Sequence, residues 1–191
     1  AEVKAGDIVY IRGGRYIMEE SQIMGEREKI YACVFLMDKS GTDNEHRIRY
    51  FGYPGERPIF DLSHVKPAGK RISVFYVSGS YLHFKNIEVV GTQVTLVGHT
   101  QSECFSNRGG NNNIYENLSM HDGMGIGFYL VKGAVMLTIT TIPFRTVAGA
   151  VMWTASADTP TTMEAVMYSE VAVHGGTVTT ASTSSTPAKP L

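Results

Sequence analysis

The chain has 191 residues, 43% of them hydrophobic and 18% charged, with a formal net charge of -1. That length suits one domain able to bury a real core. The near-neutral charge removes any electrostatic reason to propose nucleic acid or an anionic membrane as a partner, and no apolar run approaches the roughly 18 residues of a membrane span.

In chain order, the N-terminus AEVKAGDIVYIRGG carries no signal-peptide pattern and enters a strand at once, so a mature form or a fragment is expected. DIVYI alternates and stops at Gly13-Gly14; the RGG at Arg12 is no nucleotide loop, because no helix follows to supply a phosphate site. MEESQIMGEREKIY, from Met18 to Tyr31, is the one stretch with a helical flavour and reads as a short helical turn or an insertion loop. Strand signals follow in RIRYFGYPG, PIFDLS, ISVFYVSG, YLHFKNIEVVG, VTLVG, NIYENLSMHDG and GFYLVKG, each bounded by glycine or another turn residue. The two cysteines, Cys33 and Cys104, could pair or stay free; neither sits in a metal-ligand spacing, and the reading as two buried small hydrophobes is favoured.

Internal repetition indicates the architecture. GSYLHFKNIEVVG (Gly79 to Gly91) aligns with GNNNIYENLSMHDG (Gly110 to Gly123), with Asn86 and Asn117 at equivalent positions 31 residues apart. Repeats of this size, built from short strands, read as coils of a solenoid. Asparagines tolerate left-handed backbone and can stack as hydrogen-bonded ladders at the turns. The expected fold is therefore all-β, a right-handed parallel β-helix. A β-sandwich is the competitor, but it does not explain the repeat.

Composition changes near residue 133. The first 133 residues hold seven asparagines and four threonines, whereas the last 58 hold no asparagine, 13 threonines and five charged residues. We divide the chain accordingly into β-helix coils at 1-133 and an atypical Thr/Ala/Val-rich tail at 134-191. AVMLTITTI, in that tail, has the propensity to add one further coil over the open edge. The closing STSSTPAKPL is expected to lack regular structure.

The segments AGDIVYIRGGRY, SGTDNEHRIRYFGYPGERPIFDLS, VSGSYLHFKNIEVVG and NNNIYENLSMHDGMGIGFYL, across about residues 3-133, resemble the N-terminal coils of polysaccharide lyase family nine. The resemblance implies a truncated pectin-lyase-like solenoid. It also implies calcium-dependent β-elimination of acidic plant cell-wall polysaccharide, in a protein secreted by bacteria or held at their surface. Such chemistry removes a proton beside a uronate carboxylate, which several aspartates holding calcium help to acidify and a basic side chain takes up. In the family those aspartates lie in segments resembling NVDGFG and DDGFD on later coils, and the tail contains neither. No catalytic residue and no metal ligand is therefore assigned in this chain, and little or no activity is expected.

The genetic code offers an account of the tail. In triplets made of each codon's third base and the next codon's first two, Met152-Trp153-Thr154 forces the bases of Val-Asp. The codons of Ala155, Ser156 and Ala157 then permit Gly-Phe-Gly, and VHGGTVTTAST permits AWWNSDDGFD further on. We therefore expect residues from about Ala134 to be a displaced-frame translation of a lyase sequence.

Within 1-133, His121 and Asp122 in SMHDGMG are the most site-like pair. They are candidate substrate contacts, against the plainer reading of a turn before Gly123. Lys132 has the chemistry of a base but no aspartate cluster beside it, and a solvated surface lysine is favoured. The NRGGNNN run, Asn107 to Asn113, reads as a turn in preference to a sugar groove. Tyr53, Tyr76, Tyr81 and Phe84 are candidates for stacking on sugars, although strand alternation assigns most of them to the core. A non-catalytic carbohydrate-binding or surface-display module is the alternative function. The open ends of a truncated solenoid also invite self-association.

Overall fold

The computed structural model describes residues 2-96 and 102-130, together with four short strands beyond them. Each coil sends one strand to each of three parallel sheets. Sheet A is ordered β1 (Ile8–Ile11), β5 (Ile48–Gly52), β8 (Leu82–Lys85), β11 (Ile114–Glu116), β14 (Leu137–Thr140) and β17 (Met163–Val166). Sheet B is ordered β2 (Gly14–Ile17), β6 (Pro58–Asp61), β9 (Glu88–Val90), β12 (Ser119–His121) and β15 (Phe144–Arg145). Sheet C runs β4 (Tyr31–Met37), β7 (Arg71–Val77), β10 (Glu103–Asn107), β13 (Ile126–Leu130) and β16 (Met152–Trp153), with β3 (Gly25–Arg27) added antiparallel outside β4. This is a parallel β-helix, as the repeat implies.

Register converts the repeat into packing. His83 pairs with Ile114 and Phe84 with Tyr115, which reproduces the 31-residue offset read from the sequence. Parallel strands lie about 4.7–4.9 Å apart, a spacing at which aromatic rings one coil apart can stack face to face. Beneath sheet A, Tyr50, Phe84 and Tyr115 stack with centroids 5.4 Å apart at each step. Beneath sheet C, Phe35, Phe75 and Phe105 stack at 4.8 and 4.4 Å, and Phe128 continues the row in register. Phe84 meets Phe105 edge-on at 5.6 Å, so the two columns lock across the interior. Val89 and Met120 close the third side in register under sheet B.

The turns between sheets A and B depend on asparagine. Asn86 and Asn117 adopt φ of 56° and 49°, a left-handed conformation that most side chains resist. Asn117 Nδ2 donates to Asn86 Oδ1 at 2.7 Å, so the expected ladder forms. Each ladder residue divides a run that reads as one strand into two, β8 from β9 and β11 from β12.

Within residues 1-133, four strands escape the sequence reading. β2 follows Gly13-Gly14 where a stop is expected; β3 lies in the helical-looking stretch, of which only Glu20–Gln22 turns as a 3-10 helix, and β4 begins at its last residue, Tyr31, and runs on to Met37. β10, ECFSN, hides its period because its outward residues are polar yet buried, with Glu103 and Ser106 both at 0% exposure. Conversely, QVTLVG forms no strand over its described residues, Gln93 to Leu96. Cys33 and Cys104 are both buried and free; burial pushes their thiols up to about 12 and about 11, where they stay protonated and inert.

In the tail, β14 pairs with β11, β15 with β12 and β16 with β13, adding one further coil, and β17 then pairs with β14. Lys132 and STSSTPAKPL lie outside the described residues.

Candidate functional site

His121 is the last residue of β12 and points out from sheet B. Its Nδ1 lies 2.8 Å from Asp122 Oδ2 and its Nε2 lies 3.1 Å from Glu88 Oε1 on the neighbouring strand. Arg57 approaches Glu88 at 3.9 Å. Both ring nitrogens are therefore engaged, one by each carboxylate. The Asp122 side chain is 80% exposed and its φ is 52°, the left-handed turn of the plainer reading. Sequence proximity and the coil offset thus bring together a small charged group, Arg57, Glu88, His121 and Asp122. Its imidazole has no free nitrogen to offer a substrate unless a carboxylate moves.

The other sequence candidates separate cleanly. Asn107 and Asn113 are fully buried: Asn113 Nδ2 donates to Asn107 Oδ1 at 2.8 Å and to Gly79 O at 2.9 Å, and Tyr115 OH donates to Asn107 Oδ1 at 2.7 Å. The run is a turn whose amides serve the interior. A Cβ on Gly110 would sit 2.1 Å from Gly79 O, which explains a glycine in that turn. Arg12 binds Glu56 through Nε at 2.9 Å and Nη2 at 2.8 Å, with its guanidinium 4.8 Å above the ring of Tyr53. Phe84 belongs to the core, and Tyr81 lies 5.6 Å from the Arg47 guanidinium at a left-handed turn.

Tyr76 belongs to a group that sequence reasoning missed. On the outer face of sheet C, beside the β3–β4 hairpin that forms its edge, Arg108 Nη2 binds both oxygens of Glu103 at 2.8 and 2.9 Å. Tyr31 OH donates to Glu103 Oε1 at 3.2 Å, and Arg108 Nε donates to Ser106 Oγ at 2.7 Å. The Arg108 guanidinium is sandwiched between the rings of Tyr31 and Tyr129, at 4.5 and 4.7 Å. Glu28, at the hairpin tip, accepts from Tyr76 OH at 3.1 Å and from Arg108 Nη1 at 3.3 Å. Burial raises the Glu103 carboxyl above its ordinary value, although Arg108 and its hydrogen bonds pull the other way. Burial lowers the Arg108 guanidinium but is outweighed by Glu103, so Arg108 remains charged. Charged residues at strand positions normally signal a solvated face, and nothing local says that the side chains of Tyr31, Arg108 and Glu28 close over this one.

Calcium demands six to eight oxygen ligands. Among the described residues, no three His, Cys, Asp or Glu side chains converge to hold a metal ion. Those residues do not fit a calcium centre. Among the same residues, no helix is long and apolar enough to cross a membrane.

Three parallel sheets, ring columns inside and an asparagine ladder at one corner define the pectate-lyase class of solenoid. The family model for the "Pel9A-like, right handed beta helix region" matches residues 1–150, and the chain belongs to that family. The match runs past residue 133, through the added strands β14 and β15. A solved rhamnogalacturonan lyase is similar at 45% identity and a TM-score of 0.67, over 78% of this chain and 35% of that one. The crystal structure of pectate lyase Pel9A is similar at 21% identity and a TM-score of 0.56, over 75% of this chain and 32% of that one, a likeness of fold. The chain thus spans about a third of the length of these solved structures. A search of curated proteins finds no match.

Proposed function

We propose that the chain carries the first coils of a polysaccharide lyase acting on acidic pectic polysaccharide, and lacks that enzyme's metal ligands. The observation that carries this reading is the 45% identity to a rhamnogalacturonan lyase over 78% of the chain. That identity favours rhamnogalacturonan over plain polygalacturonate as the polymer of the parent activity. Elimination from such a polymer needs a neutralised uronate carboxylate and a base; among the described residues no three His, Cys, Asp or Glu side chains gather to hold a metal ion, and both ring nitrogens of His121 are engaged by carboxylates.

The chain alone is therefore expected to form no unsaturated uronide from rhamnogalacturonan or polygalacturonate, with or without added calcium, when followed by ultraviolet absorbance. Sustained calcium-dependent turnover would overturn the assignment. Export from a bacterial cell, or display on its surface, belongs to the same reading. So does association of copies through the edge strands of the sheets.

The displaced frame accounts for the missing aspartate motifs. Sequencing the coding DNA across Ala134 tests it: stop codons in that frame, or the absence of the two acidic motifs, would remove the explanation.

A further inference from the structure

The β3–β4 hairpin at the edge of sheet C closes in a β-turn, where Ile30 N–H donates to Arg27 O at 3.2 Å. Its central residues, Glu28 and Lys29, have φ of 52° and 61°. Turns of this kind favour asparagine and glycine, because both positions are left-handed. Here two long charged residues adopt that conformation, and it places the Glu28 carboxylate against Arg108 and Tyr76.

The two halves of the Arg108 site are held differently. The inner carboxylate, Glu103, is buried and bound at 2.8 and 2.9 Å, the range of charge-assisted bonds. The outer one, Glu28, is 49% exposed and lies 3.3 and 3.4 Å from Nη1, longer than that range. Meanwhile the donors are fixed. Arg108 is 9% exposed, anchored by Ser106 and sandwiched by Tyr31 and Tyr129. Tyr76 keeps its proton, since burial and then Glu28 push its hydroxyl up to about 12. A rigid guanidinium edge and a tyrosine hydroxyl thus face a loosely held, replaceable carboxylate. Lys70, bound to Glu26 at 2.8 Å, secures the other side of the hairpin.

We propose, resting on the acidic-polysaccharide reading above, that Arg108 Nη1 and Tyr76 OH form a binding site for the carboxylate of a uronate residue, and that Glu28 is its built-in competitor. The exchange is one carboxylate for another, so the charge around the buried Arg108–Glu103 pair is conserved. A neutral saccharide has no group to replace Glu28 and would leave Arg108 half-paired.

Titration calorimetry on the full chain, with trigalacturonate as ligand and its methyl ester as uncharged control, tests the site. Glu28→Ala is expected to tighten trigalacturonate binding about tenfold or more, and adding Tyr76→Phe to it is expected to remove the gain. The methyl ester is expected to show neither effect. In the native chain, bound trigalacturonate is expected to speed amide exchange at residues 25–30, because the hairpin tip is displaced. Equal affinity of the native and Glu28→Ala chains, or a gain shared by the methyl ester, overturns the site. Native binding that Glu28→Ala leaves unchanged does so while preserving the polysaccharide reading; absence of trigalacturonate binding to either chain overturns the site alone, and the rhamnogalacturonan reading is then decided by the elimination assay.

Discussion

Two buried regions run side by side along the solenoid, and they are held by different forces. The interior ring columns join successive coils through dispersion and apolar burial, with every ring contributed by an inward strand position. The cluster outside sheet C joins the same coils through one guanidinium, two carboxylates and three tyrosines. Loss of a ring removes contacts in proportion to the area lost. Loss of a charge leaves its partner stranded in a poorly solvated place.

The largest effect is expected inside. Phe75 packs against Phe35, Phe60, Phe84 and Phe105, with centroids between 4.4 and 6.1 Å. Phe75→Ala should cost about 3–5 kcal/mol, toward the upper end because stacked neighbours on both sides cannot collapse into the gap. Urea unfolding followed by circular dichroism measures it. A cost below about 2 kcal/mol would mean that the columns are loosely packed.

Arg108→Met comes next, at about 3 kcal/mol, since it strands Glu103. The informative comparison is Glu103→Leu combined with Arg108→Met, which should recover most of that loss, because an apolar pair of similar volume avoids the desolvation of both charges. Failure of the double variant to recover would show that the outer cluster packs as specifically as the inner columns.

This contrast also marks how much of the molecule was legible beforehand. Phe84, Tyr115 and the Asn86–Asn117 ladder recur at one coil length, so a repeat in the chain predicts them in space. Glu103, Arg108 and Glu28 recur nowhere. They come from a strand, a turn and a hairpin up to 80 residues apart, and they meet because the coils set β4, β7 and β10 side by side in one sheet, so that long side chains reach one another across its outer face. His121 and Asp122 were visible as neighbours, whereas Glu88, which occupies the second ring nitrogen, is a coil partner that only the register reveals.

The ladder gives the third prediction. Asn117→Ala removes the bond to Asn86 and forces a left-handed alanine, for an expected cost of about 1–2 kcal/mol. Asn117→Gly loses only the bond and should cost about half as much. Equal costs for the two would mean that the backbone conformation contributes nothing.

The smallest effect is the most discriminating, because its sign depends on pH. Glu103 has its carboxyl raised above the ordinary 4.5 by burial, so the folded chain binds this proton more tightly than the unfolded chain does. A raised carboxyl therefore favours folding when protonated, and that contribution is lost as pH rises through the folded value. Glu56 behaves oppositely: the Arg12 side chain and the Gly13 N–H hold it down to about 2, so its contribution is present at neutral pH and lost as acid approaches that value. Comparison of native chain and Glu103→Gln isolates the buried group, since Glu56 is common to both. At neutral pH the variant should lie within about 1 kcal/mol of native, because the loss of a paired charge and the relief of its desolvation oppose each other. As pH falls from neutral toward 4.5, the native chain should gain relative to the variant. A native chain that instead weakens relative to Glu103→Gln over that interval would mean that Arg108 and Tyr31 outweigh burial, and that the outer cluster is held as an ion pair against its own desolvation.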